Sequence, residues 1–225
     1  MTVSARIDVP HSAARLRVNE IFYSLQGEAR TVGLPTVFVR LTGCPLRCNY
    51  CDTEYAFTEG AWMALDDVCD QVRQYQPRYV TVTGGEPLAQ PVCRELLCRL
   101  CDAGYAVSLE TSGALDIAGI DARVSIVMDL KTPSSGEVAR NRYDNLARLA
   151  RKDQLKFVIG DRADYEWSRA TLTEYRLDEH CEVLFSPVHG RLNPTELADW
   201  ILADRLVVRL QIQLHKYLWN DARGR

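Results

Sequence analysis

Three features that are common in other proteins are missing from this 225-residue sequence. No stretch approaches the roughly 18 consecutive apolar residues of a membrane-spanning helix, so we expect no membrane insertion. Positive charge is not in excess, because 27 Lys and Arg face 30 Asp and Glu. The resulting net charge of −3 gives no electrostatic reason to expect nucleic-acid binding. The first 17 residues contain no apolar segment of the signal-peptide type.

These absences bear on domain organisation and on location in the cell. Residues 1–17 are polar, and we expect them to form a loose N-terminal arm. No internal repeat or low-complexity linker interrupts the remainder, so residues 18–225 are predicted to form a single domain with its own core. Eight cysteines without a secretion signal favour a reducing, cytoplasmic environment, in which thiols remain available to bind metal.

Three of the cysteines lie within eight residues of one another. Cys44, Cys48 and Cys51 are spaced C-x3-C-x2-C, and so short a loop can bring three thiolates to one metal centre. Structural zinc would need a fourth protein ligand, but the next cysteine, Cys69, lies in a helical pattern. An iron–sulfur cluster held by three thiolates would leave one iron open to bind another group. Zinc and a 4Fe–4S cluster therefore both remain candidates from the spacing alone, and the motifs described below favour the cluster.

Three further cysteines occur in a different setting. Cys93, Cys98 and Cys101 alternate with leucines at helical spacing. A free cysteine on a continuous helix behaves more often as a small apolar residue than as a ligand. We predict that these three are structural rather than ligands of a second cluster.

Strand-like and helix-like segments alternate about six times along the chain, which predicts parallel strands joined by helical crossovers. Residues 141–151 are predicted to form one of the helices, and residues 206–214 a last strand. A complete eight-fold barrel usually takes about 250 residues. The sequence therefore predicts an α/β fold, a partial and open TIM-like barrel of about six parallel strands with outer helices.

Polar residues follow the predicted strands throughout, and the carboxyl ends of parallel strands meet at one rim. They are Arg40, Thr83 to Glu86, Glu110 to Ser112, Asp129 to Lys131 and Ser186 to His189, together with the cysteine loop. This convergence predicts an active site at that rim.

Two motifs in order resemble those of the radical S-adenosylmethionine (SAM) enzymes. The C-x3-C-x2-C spacing is typical of that superfamily, and the residue before its last cysteine is usually an aromatic that packs near the adenine, as Tyr50 would here. The segment Gly84-Gly85-Glu86-Pro87 follows the β-rich run 79–83 and resembles the segment that meets the methionyl amino group.

A narrower resemblance covers residues 18 to 219, nearly the whole chain. The segments that carry it are Phe22 to Glu28, Phe38 to Cys44, Cys51 to Thr53, Thr83 to Pro87, Thr132 to Gly136 and Gln213 to Lys216. They look like those of the 7-carboxy-7-deazaguanine synthases. The resemblance implies a lyase of queuosine and 7-deazapurine biosynthesis, which contracts the ring of 6-carboxy-5,6,7,8-tetrahydropterin to give 7-carboxy-7-deazaguanine and releases ammonia.

The same resemblance implies cofactors and partners. They are a 4Fe–4S cluster, SAM and Mg²⁺, an external electron donor such as flavodoxin or ferredoxin, and a homodimeric assembly. In this family a deoxyadenosyl radical formed from SAM abstracts the hydrogen at C6 of the pterin. The cofactors supply this chemistry, and the protein supplies position and electrostatics.

Site residues carry over from the family position by position. Cys44, Cys48 and Cys51 would hold the cluster, and Thr53 matches the Mg²⁺ position. The positions that match SAM contacts are Tyr50, Asp52, Gly85, Asp129, Leu130, Lys131, Ser186, Pro187, Val188 and His189. The positions that match substrate contacts are Leu25, Gln26, Gly27, Arg40 and Thr83. A planar guanidinium at Arg40 suits the pterin carboxylate. The family's substrate site also uses the extreme C-terminus, and here the chain continues past Trp219 to Arg225.

Two alternatives remain at this point. A radical SAM activating enzyme that acts on a partner protein would share the cluster and the Gly-Gly-Glu-Pro segment. Arg40, Gln26 and Thr53 favour a small anionic substrate instead. A non-enzymatic metal-binding module would need neither the Gly-Gly-Glu-Pro segment nor the polar rim.

Overall fold

The structure is a computed structural model that describes residues 14–220 and 222–225. It contains a sheet of nine strands and six α-helices. The strands are β1 (Arg15–Leu25), β2 (Pro35–Leu41), β3 (Ala61–Ala64), β4 (Tyr79–Gly84), β5 (Ala106–Thr111), β6 (Ser125–Asp129), β7 (Gln154–Ile159), β8 (Glu182–Pro187) and β9 (Arg209–Leu210). The helices are α1 (Leu65–Gln74), α2 (Cys93–Asp102), α3 (Arg162–Tyr175), α4 (Leu177–His180), α5 (Pro194–Ala203) and α6 (Leu214–Trp219).

The strand order is β3-β1-β2-β4-β5-β6-β7-β8-β9, and the sheet does not close on itself. From β2 to β9 all neighbours are parallel, whereas β1 pairs antiparallel with both β2 and β3. Six parallel strands have five to seven residues, and β9 adds two more residues at the edge. The prediction of an open, partial barrel with about six parallel strands is confirmed.

The burial pattern explains this arrangement. The central strand β4 is buried at four consecutive positions, as expected for a parallel strand covered on both faces. Helix α1 turns Leu65, Val68 and Val72 inward, and these side chains are 0% exposed. Their spacing of three and seven residues places them on one helical face. Two adjoining apolar clusters form the core, one under the strands up to β5 and one under β6 to β8.

Three sequence predictions need correction. Residues 15–17 are not part of a loose arm but begin β1, because Leu16 is fully buried in the first core cluster; residues 1–13 of the predicted arm lie outside the described residues. Residues 141–151 form no α-helix but include the short 3-10 segment Tyr143–Arg148. Only Arg209 and Leu210 of the predicted last strand pair with the sheet.

The turn between β1 and β2 contacts the first residues of β7 and β8. The backbone N–H of Arg30 donates to Gln154 Oε1 at 2.8 Å, and Arg30 Nε lies 3.1 Å from Glu182 Oε2. Lys156 Nζ lies 2.6 Å from Glu28 Oε2. These contacts bring the first hairpin of the chain onto β7 and β8.

Among the described residues, no helix has the length and apolar character needed to cross a membrane.

Candidate active site

A cavity of about 480 Å³ opens at the carboxyl ends of the parallel strands. Its walls come from the ends of β2, β4, β5 and β6, the β1–β2 turn, the cysteine loop, α6 and the last residues of the chain. The strand ends therefore converge on one concave site, as parallel α/β sheets require.

The cysteine loop forms one wall. Cys44, Cys48 and Cys51 are unpaired, half-buried and face the cavity. The chain turns out of β2 at Gly43, whose φ of 100° is a conformation that favours glycine. Asn49 fastens the outside of the loop, because its backbone N–H donates to Ser135 O at 3.0 Å. Burial raises the pKa of all three thiols, and the nearby Lys131 ammonium opposes this effect.

This donor set fits an iron–sulfur cluster. Cys44, Cys48 and Cys51 all line the same cavity. Three thiolates spread along one wall suit a cluster in which each sulfur binds its own iron, whereas structural zinc gathers four ligands around one ion.

The Gly-Gly-Glu-Pro segment packs directly on the cysteine loop. A Cβ atom on Gly85 would lie 2.4 Å from Gly43 O and 2.8 Å from Cys44 Cβ, so only glycine fits there. Glu86 does not line the cavity. Its carboxylate is fully buried and accepts hydrogen bonds from Thr111 Oγ1 at 2.9 Å and from Ser112 N at 2.7 Å. Glu86 thus braces the end of β4 against the end of β5.

A line of alternating charges crosses the floor of the cavity. Lys131 Nζ lies 2.8 Å from Asp129 Oδ2, and Lys156 Nζ lies 3.2 Å from Asp129 Oδ1 and 2.6 Å from Glu28 Oε2. Burial opposes ionisation of Asp129, but the two ammonium groups outweigh it and hold its pKa below the usual value. Burial likewise opposes the charge on Lys156, yet Asp129 and Glu28 raise its pKa well above normal. Asp129, Lys131 and Lys156 therefore remain charged near neutral pH.

Glu110 differs from Asp129 in that its pKa lies above, not below, the usual value. Its Oε1 accepts from Gln26 Nε2 at 3.2 Å and its Oε2 from Thr83 Oγ1 at 2.9 Å. Both donors are neutral, and burial raises the pKa of Glu110. A ligand with N–H donors would find a pre-oriented acceptor here.

Arg40 is held from several sides. Its Nε lies 2.7 Å from Glu20 Oε1, and its guanidinium carbon lies 5.8 Å from the ring centroids of both Phe22 and Tyr55. Among the described residues its terminal nitrogens have no hydrogen-bond partner, and the residue lines the cavity. This arrangement leaves two parallel donors for an anionic ligand.

Helix α6 is fastened to the residue after Cys51. Lys216 Nζ lies 2.8 Å from Asp52 Oδ2, and Thr53 Oγ1 donates to Asp52 Oδ1 at 2.9 Å. Burial opposes ionisation of Asp52, but Lys216 and the hydrogen bonds from Thr53 and Gln213 hold its pKa well below the usual value.

The same helix also meets the β1–β2 turn. Leu214 N donates to Gly27 O at 2.9 Å. A Cβ atom on Gly27 would lie 2.1 Å from His215 Nδ1, so this contact requires glycine. Burial lowers the pKa of His215, which keeps the imidazole neutral at physiological pH.

Most residues predicted from the sequence line this cavity. All five predicted substrate residues do so: Leu25, Gln26, Gly27, Arg40 and Thr83. So do the predicted metal residues Cys44, Cys48, Cys51 and Thr53, and the predicted SAM residues Tyr50, Asp52, Gly85, Asp129, Lys131, Val188 and His189. Leu130, Ser186 and Pro187 are buried behind the wall, so the structure gives no support for their side chains as SAM contacts.

The sequence analysis assigned no role to several groups of this site. They are Glu28, Tyr55, Glu110, Lys156, His215 and Lys216. Lys156 could have been suspected, because a lysine within the apolar run 154–159 is rarely buried without a partner. Glu110 already stood among the polar residues at the predicted rim.

Comparison with known proteins identifies the family. Residues 38–176 match the Radical SAM superfamily. The chain is 44% identical over 215 residues to the 7-carboxy-7-deazaguanine synthase of Chlorobaculum tepidum, which covers 94% of this chain and 98% of that protein. It is 42% identical over 222 residues to the synthase of the same name from Koribacter versatilis, which covers 91% and 97%.

A solved structure shares the fold. The crystal structure of QueE from Escherichia coli superposes with a TM-score of 0.71 at 22% sequence identity, over 89% of this chain and 95% of that chain. Given sequence matches of this strength over almost its whole length, the chain belongs to the 7-carboxy-7-deazaguanine synthase family of radical SAM enzymes.

Proposed function

We propose that this protein is a lyase that converts 6-carboxy-5,6,7,8-tetrahydropterin into 7-carboxy-7-deazaguanine, with release of ammonia, in queuosine and 7-deazapurine biosynthesis. The observation that carries the proposal is that the cysteine loop and the polar pocket around Arg40 and Glu110 line the same cavity. A small molecule in that pocket would lie beside the three thiolates.

The cofactors would occupy the wall formed by the cysteine loop. Cys44, Cys48 and Cys51 would hold the 4Fe–4S cluster, and SAM would lie along the cavity-facing members of its predicted contacts. When bound, the cluster and SAM supply the radical that abstracts a hydrogen from the substrate. The protein brings the ligands together, because glycine at position 85 lets the β4 loop approach the cysteine loop closely.

The pocket matches both ends of the proposed substrate. The pyrimidine edge of a pterin carries adjacent N–H and NH₂ donors, which the Glu110 carboxylate would accept. Gln26 and Thr83 fix the orientation of that carboxylate through their own hydrogen bonds. The free terminal nitrogens of Arg40 would donate to the carboxylate at the other end of the substrate.

Thr53 would take part in binding Mg²⁺. Its hydroxyl lies on the cavity wall and retains acceptor capacity while it donates to Asp52. Mg²⁺ usually keeps several waters and shares oxygens with its substrate, so a single hydroxyl is a sufficient protein ligand.

The chain end argues for a small substrate rather than a protein. Asn220 and residues 222–225 form part of the cavity wall, which narrows the approach that an extended polypeptide would need. A protein-activating enzyme is therefore the less favoured candidate, and a non-enzymatic metal module would have no use for this enclosed pocket.

The remaining assignments rest on the family. We propose an external electron donor such as flavodoxin or ferredoxin, a homodimeric assembly, a cytoplasmic location and a single catalytic domain over residues 18–225, which β1 extends back to Arg15.

Anaerobic turnover tests the proposed function. Reconstituted protein should hold about four irons per chain. With SAM, Mg²⁺ and a reductant it should convert 6-carboxytetrahydropterin into 7-carboxy-7-deazaguanine and ammonia. Stoichiometric zinc without iron uptake, or SAM cleavage without consumption of the pterin, would refute the proposal.

A further inference from the structure

The C-terminal tail makes a specific contact with the wall of the cavity. The guanidinium carbon of Arg223 lies 3.8 Å from the ring centroid of Tyr55. Its Nη1 lies 2.9 Å from Glu59 Oε2. The tail is thus attached both to the 3-10 turn Glu54–Phe57, which contains Tyr55, and to the segment that follows it.

This contact continues to the guanidinium of Arg40. Tyr55 OH donates to Glu20 Oε1 at 3.0 Å, and the same oxygen lies 2.7 Å from Arg40 Nε. The Glu20 and Arg40 side chains are about one-fifth exposed or less, whereas those of Arg223 and Glu59 are more than half exposed. The exposed contact between Arg223 and Tyr55 is therefore linked to the shielded ion pair of Glu20 and Arg40 through the Tyr55 hydroxyl.

The geometry makes Arg40 dependent on Tyr55. The only hydrogen-bonded anchor of the Arg40 guanidinium among the described residues is Glu20, and the orientation of Glu20 depends on the Tyr55 hydroxyl. Arg40 also lies 5.8 Å from the centroid of that ring. Tyr55 follows Cys51 by four residues in a loop segment, so its position is not fixed by a strand or a long helix.

We propose that Arg223 is a positioning residue for carboxylate recognition, acting on Arg40 through Tyr55 and Glu20. The proposal rests on the proposed function, because it assumes that Arg40 receives the carboxylate of a pterin. Arg223 itself need not touch that carboxylate. It holds Tyr55 in place and thereby keeps the terminal nitrogens of Arg40 directed into the cavity.

The test compares two pterins that differ by one group. Anaerobically reconstituted protein with SAM is titrated with 6-carboxypterin and with pterin, which lacks the carboxylate. A charged hydrogen bond predicts that the wild type prefers 6-carboxypterin by about 10- to 100-fold. Arg223→Met should reduce this preference by about two- to fivefold, the value of an exposed cation–π contact, and leave the affinity for pterin unchanged.

Two control variants sharpen the comparison. Arg223→Lys keeps a cation over the ring and should retain most of the preference. Arg73→Met removes an exposed arginine of α1 that does not line the cavity, and it should bind both pterins like the wild type. If Arg223→Met keeps the full preference, or loses affinity for both pterins equally, Arg223 does not position Arg40.

A second measurement needs no substrate. Trypsin should release the segment after Arg223 slowly from the wild-type protein, because Arg223 is held against Tyr55. Tyr55→Leu should accelerate that release, while cleavage after the exposed Arg176 stays constant as an internal reference. Equal release from both proteins would refute the anchoring. If the wild type binds no pterin while Tyr55→Leu still releases the tail faster than the wild type, the proposed substrate is refuted and the anchoring is supported.

Discussion

At the scale of single residues, the site depends on side chains that are fixed before a ligand arrives. Arg40 is the main case, because Glu20 and two aromatic rings hold its guanidinium while its terminal nitrogens stay open. Arg40→Ala should weaken binding of 6-carboxypterin by about 10- to 100-fold. SAM affinity, measured separately, should not change, since the predicted SAM contacts lie on other segments of the chain. An equal loss of SAM and pterin affinity would remove Arg40 from the substrate site.

The raised pKa of Glu110 predicts a pH dependence. Burial makes the folded protein hold this proton more tightly than the unfolded chain, so ionisation of Glu110 costs stability as the pH rises above the unfolded value of about 4.3. Ligand donors need the ionised carboxylate, so pterin binding should strengthen as the pH rises through the raised pKa. A titration of pterin affinity from about pH 5 to 8 should show this rise in the wild type and lose it in Glu110→Gln.

Thr53 offers a test of the proposed Mg²⁺ site. Thr53→Ala removes the hydroxyl and should raise the Mg²⁺ concentration that gives half-maximal turnover, because the ion loses its protein oxygen. Thr53→Ser keeps the hydroxyl and serves as the matched control. Iron content should be the same in all three proteins. An unchanged Mg²⁺ dependence in Thr53→Ala would assign the ion to other ligands.

At the scale of secondary-structure elements, α2 shows how helical spacing separates structural cysteines from ligands. Cys93 and Cys101 point into the core and are 0% and 8% exposed, whereas Cys98 lies at the boundary near Asp102. Replacing Cys98 and Cys101 together by Ala should leave the iron content at about four per chain. Inductively coupled plasma analysis of the reconstituted double variant checks this result. Loss of further irons would reveal a second cluster.

Secondary-structure elements were predictable from the sequence where apolar residues recur at the regular spacing of a helix or a strand. Helix α2 followed from cysteines and leucines at helical spacing, strand β4 from the β-rich run 79–83, and the rim from polar residues placed after strands. The helix predicted over residues 141–151 was wrong, because their apolar residues pack through short 3-10 turns rather than along one helical face. The charge network on Lys156 was not predictable, because its partners Glu28 and Asp129 come from distant elements and only the tertiary fold brings them together.

At the scale of the whole molecule, Lys156 joins the first hairpin to the centre of the sheet. Lys156→Met would leave Glu28 and Asp129 largely buried without this cation, and such a loss typically costs about 3–5 kcal/mol of unfolding free energy. Urea unfolding under anaerobic conditions measures the difference. Arg73→Met breaks an exposed pair with Asp70 and should cost far less. Equal effects of the two substitutions would show that the Lys156 network adds no stability.

The turn between β1 and β2 has a consequence for synthesis of the chain. Glu28 receives a hydrogen bond from Gln213, 185 residues later, and Arg30 pairs with Glu182. At a translation rate of roughly 5–20 residues per second, Gln213 is synthesised about 10 to 40 s after Glu28. The first hairpin therefore leaves the ribosome long before its partners, and its docking closes contacts of high sequence separation, which form slowly. We expect the nascent chain to need protection of β1 and β2 from aggregation until the last segments emerge.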